Sequence, residues 1–283
     1  MGAVLAPLNF RRGVWDWSRP YVMGVVNVTP DSFSDGGRYA SAEAAIEHGV
    51  ALAAAGADCL DVGGEATNPR AQPIDAAEEL RRVLPVLEGL AARVAVPLSI
   101  DTTKAAVARA ALGAGAEIVN DVSGGLFDPD LPAVAADAGA AYVCGHLRGR
   151  SLPEVFAAEV APAWTEVADE LQARLDALPA GLRARTLVDP GLGFGKGASG
   201  EGNAALLRHA GDLARRLGRP VLVGPSRKRF LAELVGSRET AALDAGTVGA
   251  CLAAAASGAH VLRVHDAGLL RAALIVYFAI RGP

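Results

Sequence analysis

One short phrase recurs four times along the chain. It reads Ala55-Gly56-Ala57-Asp58-Cys59-Leu60-Asp61-Val62, then Ala114-Gly115-Ala116-Glu117-Ile118-Val119-Asn120-Asp121, then Ala138-Gly139-Ala140-Ala141-Tyr142-Val143, then Ser257-Gly258-Ala259-His260-Val261-Leu262-Arg263-Val264. Each copy reads as the end of a helix, a glycine cap and a strand. Glycine suits the cap because it accepts the left-handed conformation that stops a helix. The apolar run that follows is short and β-branched, as in a strand buried on both faces. Two more strands enter through proline, at Val96-Pro97-Leu98-Ser99-Ile100 and Arg219-Pro220-Val221-Leu222-Val223; with Tyr21 to Val26 and Thr186 to Val188 the total is about eight. Helical patterns lie between them, at Ala42 to Ala55, Ala76 to Arg93, Glu154 to Leu178 and Ala204 to Leu217; Asp75 followed by Glu78 marks the second as a near capping box.

Strict strand–helix alternation without a change of composition defines an α/β chain. It favours a closed (β/α)8 TIM barrel over an open, doubly wound sheet. At 283 residues the whole chain, 1–283, fits one barrel domain. The segment Phe10 to Pro20, with Trp15 and Trp17, precedes the first strand and is expected to cover the barrel's N-terminal mouth by packing alone.

In a parallel barrel the chemistry sits where strands end and βα loops begin. Those places read Asn27; Asp61 and Glu65; Asp101; Asn120 and Asp121; His146 and Arg148; Asp189; Ser226-Arg227-Lys228; and Arg263-Val264-His265-Asp266. A single Asp at a strand end is more often a helix cap. Capping does not explain a nearly complete ring. Carboxylates and carboxamides match the donor and acceptor edge of an amino-pyrimidinone, and Lys228 can donate to a ring carbonyl or nitrogen. Asn27, Arg263 and His265 supply donors for phosphate oxygens. Lysine is informative here: of 27 basic residues only Lys104, Lys196 and Lys228 are lysines, so Lys228, flanked by arginines, marks a need for a point-like ammonium. The loops Thr29 to Tyr39 and Gly63 to Ala71 are rich in glycine and hydroxyls and are placed to close over a ligand. The segment Asp189-Pro190-Gly191-Leu192-Gly193-Phe194-Gly195-Lys196 contains GxGxG outside any dinucleotide frame and reads as a floor for a flat ring.

Composition excludes other classes. A net charge of −4 and pI near 5.8 give no footprint for nucleic acid or anionic lipid. Ala241 to Leu262 carries too many polar residues for a membrane span and reads as a buried helix followed by a strand. Met1 to Asn9 lacks the features of a secretory signal, and the expected compartment is the cytoplasm. Cys59, Cys144 and Cys251 are far apart and read as buried apolar fillers. His48, His209 and His260 read as surface or packing residues, and no side-chain metal cage is visible. A magnesium ion held by substrate phosphates and water stays compatible with the sequence.

The strand ends also spell a signature. Met23 to Gly37, reading MGVVNVTPDSFSDGG, resembles the first motif of dihydropteroate synthases. Asp61-Val62-Gly63-Gly64-Glu65, Ser99-Ile100-Asp101-Thr102, Ile118 to Val122, Asp189 to Lys196, Gly224 to Lys228 and Arg263 to Asp266 resemble the later motifs, in order, so that the likeness runs from Arg19 to Gly268. The resemblance implies that Asp101, Asn120, Asp189 and Lys228 hold a pterin, with Phe194 beside the path of p-aminobenzoate. It implies that Asn27, Arg263 and His265 hold pyrophosphate and Mg2+, with Asn27 toward the metal. Thr67 and Ser226 would surround the attacking amine, and Phe33, Ser34 and Asp35 would lie on a loop that orders late. The implied reaction loses pyrophosphate first, leaving a pterin cation stabilised by Asp101 and Asp189, to which the arylamine adds. A homodimer through the late helices is also implied.

The chain departs from the family pattern in places. Glu65-Ala66-Thr67-Asn68-Pro69-Arg70 replaces Glu-Ser-Thr-Arg-Pro-Gly, so that Arg70 stands two positions from the missing arginine. Gly145 stands where methionine is common, with an enlarged pterin pocket expected, and Pro225 replaces a flexible apolar residue. The altered second loop motivates an alternative, a catalytically silent paralogue that binds pterin. A pterin-binding methyltransferase barrel would lack both the Asn27 to Gly37 loop and Ser226-Arg227-Lys228.

Overall fold

The computed structural model describes residues 5–28, 37–67, 72–157, 160–196 and 200–281, the side chains of 37–41 aside. Two short strands, β1 (Leu8–Phe10) and β2 (Gly13–Trp15), form an antiparallel hairpin. Eight strands follow: β3 (Tyr21–Asn27), β4 (Cys59–Gly63), β5 (Leu98–Asp101), β6 (Ile118–Asp121), β7 (Ala141–Gly145), β8 (Thr186–Asp189), β9 (Leu222–Val223) and β10 (Val261–Val264). They pair in parallel in the order β8-β7-β6-β5-β4-β3-β10-β9. An isolated parallel bridge between Val188 and Val221 joins the two ends of that order and closes the cylinder.

The recurring glycine phrase performs as its chemistry requires. Helix Ala105–Gly113 ends with Gly115 at φ +112°; Gly115 N donates to Leu112 O at 3.3 Å and Ala116 N to Ala111 O at 3.0 Å. This is the Schellman arrangement, which satisfies the last helical carbonyls and turns the chain into β6. The other three copies repeat the bonding pattern. Asp75 caps helix Ala76–Arg93, its Oδ1 accepting from Glu78 N at 2.8 Å.

Two expected helices are interrupted. Glu154 to Leu178 forms two, Leu152–Phe156 and Trp164–Ala177, because Pro162 has no N–H to donate and disfavours helix at the residue before it. Ala204 to Leu217 is divided between Gly200–Arg208 and Ala210–Leu217, with His209 at φ −100° and its ring stacked 4.7 Å from Trp164. The run Ala241 to Leu262 is a helix, Thr240–Ala256, leading to β10. All three cysteines are free and buried. Among the described residues no helix is long and apolar enough to cross a membrane.

Strand side chains alternate between the barrel's interior and the helical layer. At the N-terminal end the inward set is apolar: Tyr21, Met23, Cys59, Ile118, Ala141, Val143, Leu187, Leu222 and Val261 form one cluster with Leu8 and Trp15 of the hairpin. Trp15 stacks on Tyr21 with ring centroids 4.9 Å apart. The hairpin thus seals the N-terminal mouth, and Glu117 holds it there by accepting from Arg12 Nη1 at 2.9 Å. Two residues further along β4, β6, β8 and β10 the same inward parity delivers a different chemistry.

Candidate active site

Stepping by two from Cys59, Ile118, Leu187 and Val261 gives Asp61, Asn120, Asp189 and Arg263, and from Ser99 it gives Asp101. Strand register sets Asn27, Gly63, Asp101 and Asn120 in one row across β3, β4, β5 and β6. The upper half of the barrel interior is therefore a polar chamber over an apolar plug.

Its centre is an ion network. Arg263 Nε donates to Asp61 Oδ2 and its Nη2 to Asp101 Oδ2, both at 2.6 Å. Asn120 Nδ2 donates to the same Asp61 oxygen at 2.9 Å, whereas Asp61 Oδ1 is buried without a partner among the described residues. Burial works against the charge on Arg263, but Asp61 and Asp101 together hold its pKa above the ordinary value. Burial pushes Asp101 up to about 7, opposed by Arg263 and reinforced by Asp61. Burial also raises Asp189, against the pull of Lys228 and a 2.8 Å hydrogen bond from Gly191 N. Lys228 is brought down to about 8 by burial, with Asp189 opposing. Its ammonium donates to Leu192 O and stands 4.8 Å from the centroid of Phe194. Three carboxylates thus face two cations.

Ser226 and Lys228 flank a tight turn in which Lys228 N donates to Pro225 O at 3.2 Å. Arg227 occupies the third position at φ +56°, a place usually taken by Gly or Asn. Asp244 grips its guanidinium through two bonds, at 2.8 and 3.0 Å, and Arg227 N donates to Thr247 Oγ1 at 3.2 Å. Left-handed backbone at a non-glycine residue costs about 1–2 kcal/mol, and the helix Thr240–Ala256 that carries Asp244 and Thr247 offsets it. His265 N donates to Ser226 Oγ at 3.2 Å, and Ser226 Oγ lies 2.9 Å from His265 Nδ1. Burial, with Arg263 and Arg227 nearby, lowers the imidazole to about 4, so it is neutral at pH 7. A neutral ring that accepts from Ser226 at Nδ1 carries its proton on Nε2.

Several expected residues stand elsewhere. Asp121 has outward parity: it accepts from Tyr142 Oη, Ser123 Oγ and the amides of Ser123 and Gly125, and so shapes the loop after β6 rather than the chamber. Asp266 caps the final helix by accepting from Leu269 N at 2.8 Å. His146 is fully buried beneath the floor segment. Asn27 is exposed at the rim, and Thr67 is half-buried at the edge of the second loop. Phe33, Asp35 and Arg70 lie outside the described residues.

The expectation for Gly145 is overturned. A Cβ there would lie 2.5 Å from both Cα and O of Val122, so backbone fills the direction a side chain would take and no extra pocket volume results.

Sequence reasoning gave no role to Lys104, which bridges Glu65 at 2.7 Å and Glu79 at 2.6 Å and ties the second loop to helix Ala76–Arg93. It also missed Arg174, whose guanidinium donates to Ser123 O at 3.2 Å and to Gly145 O and Leu147 O at 2.5 Å each. The rarity of lysine was the available signal for Lys104; nothing distinguishes Arg174 among the many arginines.

A barrel with this chamber defines a class, and comparison with known families gives the same one. The model of the family "Pterin binding enzyme" matches residues 23–265, and the chain belongs to that family. The dihydropteroate synthase of Mycobacterium leprae is 45% identical over 256 residues, 87% of this chain and 88% of its own. A Xanthomonas albilineans dihydropteroate synthase solved with 4-aminobenzoic acid superposes with a TM-score of 0.87 at 45% identity, covering 95% of this chain and 96% of that one. The same organism's enzyme in complex with 7,8-dihydropteroate gives a TM-score of 0.84 at 43% identity, covering 98% and 100%. Within the pterin binding enzymes, the chain belongs with the dihydropteroate synthases, transferases of folate biosynthesis.

Proposed function

We propose that the chain condenses 6-hydroxymethyl-7,8-dihydropterin pyrophosphate with p-aminobenzoate, giving 7,8-dihydropteroate and pyrophosphate. The observation that carries this reading is the linked set of Asp61, Asp101, Asn120 and Arg263, delivered from four strands to one chamber beside Asp189 and Lys228. Asp101, Asn120, Asp189 and Lys228 offer the alternating donors and acceptors that an amino-pyrimidinone edge requires. Asn27, Arg263 and the Nε2–H of His265 face the pyrophosphate, and Thr67 and Ser226 stand around the incoming amine. Phe33 and Asp35 belong to this reading through sequence alone, as does Arg70, whose charge replaces the missing arginine.

Cleavage of the C–O bond places positive charge on the pterin methylene, beside a chamber with more carboxylates than cations. Asp101 and Asp189 are fixed beside that position before the charge develops. The attraction is then stronger in the transition state than in the ground state, which is the condition for catalysis. A weakly nucleophilic arylamine adds to such a cation without a strong base beside it.

Among the described residues no three His, Cys, Asp or Glu side chains stand close enough to cage a metal. Magnesium keeps several waters and takes substrate phosphates with one or two protein oxygens, a demand that the Asn27 carboxamide fits. When bound it would neutralise the leaving pyrophosphate. The exposed apolar side chains Leu269, Ile275, Val276 and Ile280 on helix Ala267–Arg281 support a homodimer, and Ile280→Glu should yield a monomer in light scattering. The cytoplasm is the compartment consistent with this chemistry.

Pyrophosphate release from dihydropterin pyrophosphate and Mg2+, followed with and without p-aminobenzoate, tests the reading. Release coupled to dihydropteroate supports it. Tight pterin pyrophosphate binding without product replaces it with the silent pterin-binding paralogue.

A further inference from the structure

Lys196 is among the largest side chains buried in the molecule, at 1% exposure. Its Nζ lies 2.8 Å from Phe194 O, 3.2 Å from His146 O and 3.1 Å from His146 Nδ1. An ammonium has three N–H groups and meets three acceptors, so nothing is left over for a ligand. Among the described residues no carboxylate is within ion-pair distance. The same arrangement fixes the imidazole, whose Nε2–H donates to Glu170 Oε2 at 3.0 Å. Burying an ammonium on neutral acceptors is costly, and burial brings Lys196 down to about 7.

What the ammonium holds explains its presence. His146 directly follows β7, while Phe194 lies in the glycine-rich floor after β8, so Lys196 staples the floor to the neighbouring strand end. From behind, buried Asn203 on helix Gly200–Arg208 accepts from Gly193 N at 2.7 Å. The floor is thus gripped on two sides. Gly191 shows how close the fit is: at φ +72°, a Cβ there would lie 1.9 Å from His146 O. The element held in place is the Phe194 ring, 5.8 Å from Phe156 and in contact with Lys228. Asp101, Asn120 and Asp189, by contrast, are held by strand ladders and Lys228 by the turn at Pro225; the floor meets the last two only through Gly191 N and Leu192 O.

We propose that Lys196 and Asn203 are positioning residues that set the affinity for the arylamine substrate by fixing the Phe194 floor, while leaving the pterin-holding groups in place. This rests on the reading of p-aminobenzoate as second substrate. The test is steady-state kinetics of Lys196→Met and Asn203→Ala in both substrates, with calorimetric titration of dihydropterin pyrophosphate. We expect the KM for p-aminobenzoate to rise about tenfold or more, with kcat and pterin pyrophosphate affinity within about threefold of wild type. A general structural role would lower all three together, and that parallel loss overturns the proposal, as does an unchanged KM. Should Lys196→Met lack a cooperative melt, Asn203→Ala, which leaves the buried ammonium intact, decides by the same criteria. Wild-type turnover is measured first: no dihydropteroate from wild type removes the substrate reading, whereas normal wild-type turnover without the split in the variants removes the clamp alone.

Discussion

Asp61 joins the two halves of the chamber through one oxygen. That Oδ2 accepts from Asn120, proposed for the pterin, and from Arg263, proposed for the phosphates, 59 and 202 residues away in sequence. Asp61→Asn retains an oxygen for both bonds and removes only the charge. The ion pair with Arg263 then becomes a bond from a cation to a neutral oxygen and the bond from Asn120 becomes a neutral one, each about 1 kcal/mol weaker, so kcat/KM should fall roughly 30-fold. Asp61→Ala removes the acceptor and leaves the Asn120 amide buried and unpaired. Arg263 keeps Asp101, so the loss exceeds that of Asp61→Asn but stays below the about 3–5 kcal/mol, two to four decades, of stranding a full charge. Pyrophosphate release under kcat/KM conditions measures both variants, and thermal melts report the folded state. Stability should suffer less than activity in Asp61→Asn, because the unpartnered Oδ1 makes the native carboxylate costly to bury. An Asp61→Asn enzyme within threefold of wild type, or one as damaged as Asp61→Ala, would refute the reasoning that this charge organises the chamber.

Asp101→Asn and Lys228→Ala should each abolish measurable pterin pyrophosphate binding in a calorimetric titration; unchanged affinity removes the residue from the pocket. Trp15→Ala opens the apolar plug far from the chamber and should cost about 3–5 kcal/mol in chemical denaturation while both KM values hold. Burial lowers His260 from 6.5 to about 4, so between those values the folded chain binds fewer protons than the unfolded one. Stability is therefore full above pH 6.5 and lost as pH falls toward 4, at up to about 1.4 kcal/mol per unit before solvent screening. His260→Gln should flatten that limb of a pH series of melts, and an unaltered slope would count against it.

The barrel was legible because its signal is local and repeated: a glycine cap and a short buried strand, in four copies, dictate helix, turn and strand whatever the tertiary context. The strand-end ring was legible in outline, and parity within each strand sorts most of it. Asn120 and Asp121 are adjacent, yet only the first shares the inward step from Ile118, and the second spends its oxygens on Tyr142, Ser123 and Gly125. Stepping by two from the apolar plug would have separated them. The link between Asp61 and Arg263 was not legible, because no local pattern reports a contact across the closed cylinder. Gly145 misled for a related reason: sequence records the lost side chain but not the backbone of Val122 that takes its place. Pro162 was visible and should have ended the helix that it ended.

The cylinder is not equally strong around its circumference. Seven of its joints are ladders, whereas β8 meets β9 through one isolated bridge, Val188 to Val221, beside a two-residue strand. A hooped wall yields at its thinnest joint, and amide exchange should run fastest along this one. Asp189 stands on one lip of the joint, and Ser226 and Lys228 stand on the other. A ring held between those lips would rivet the seam, so pterin binding should slow amide exchange along this joint more than along the laddered ones.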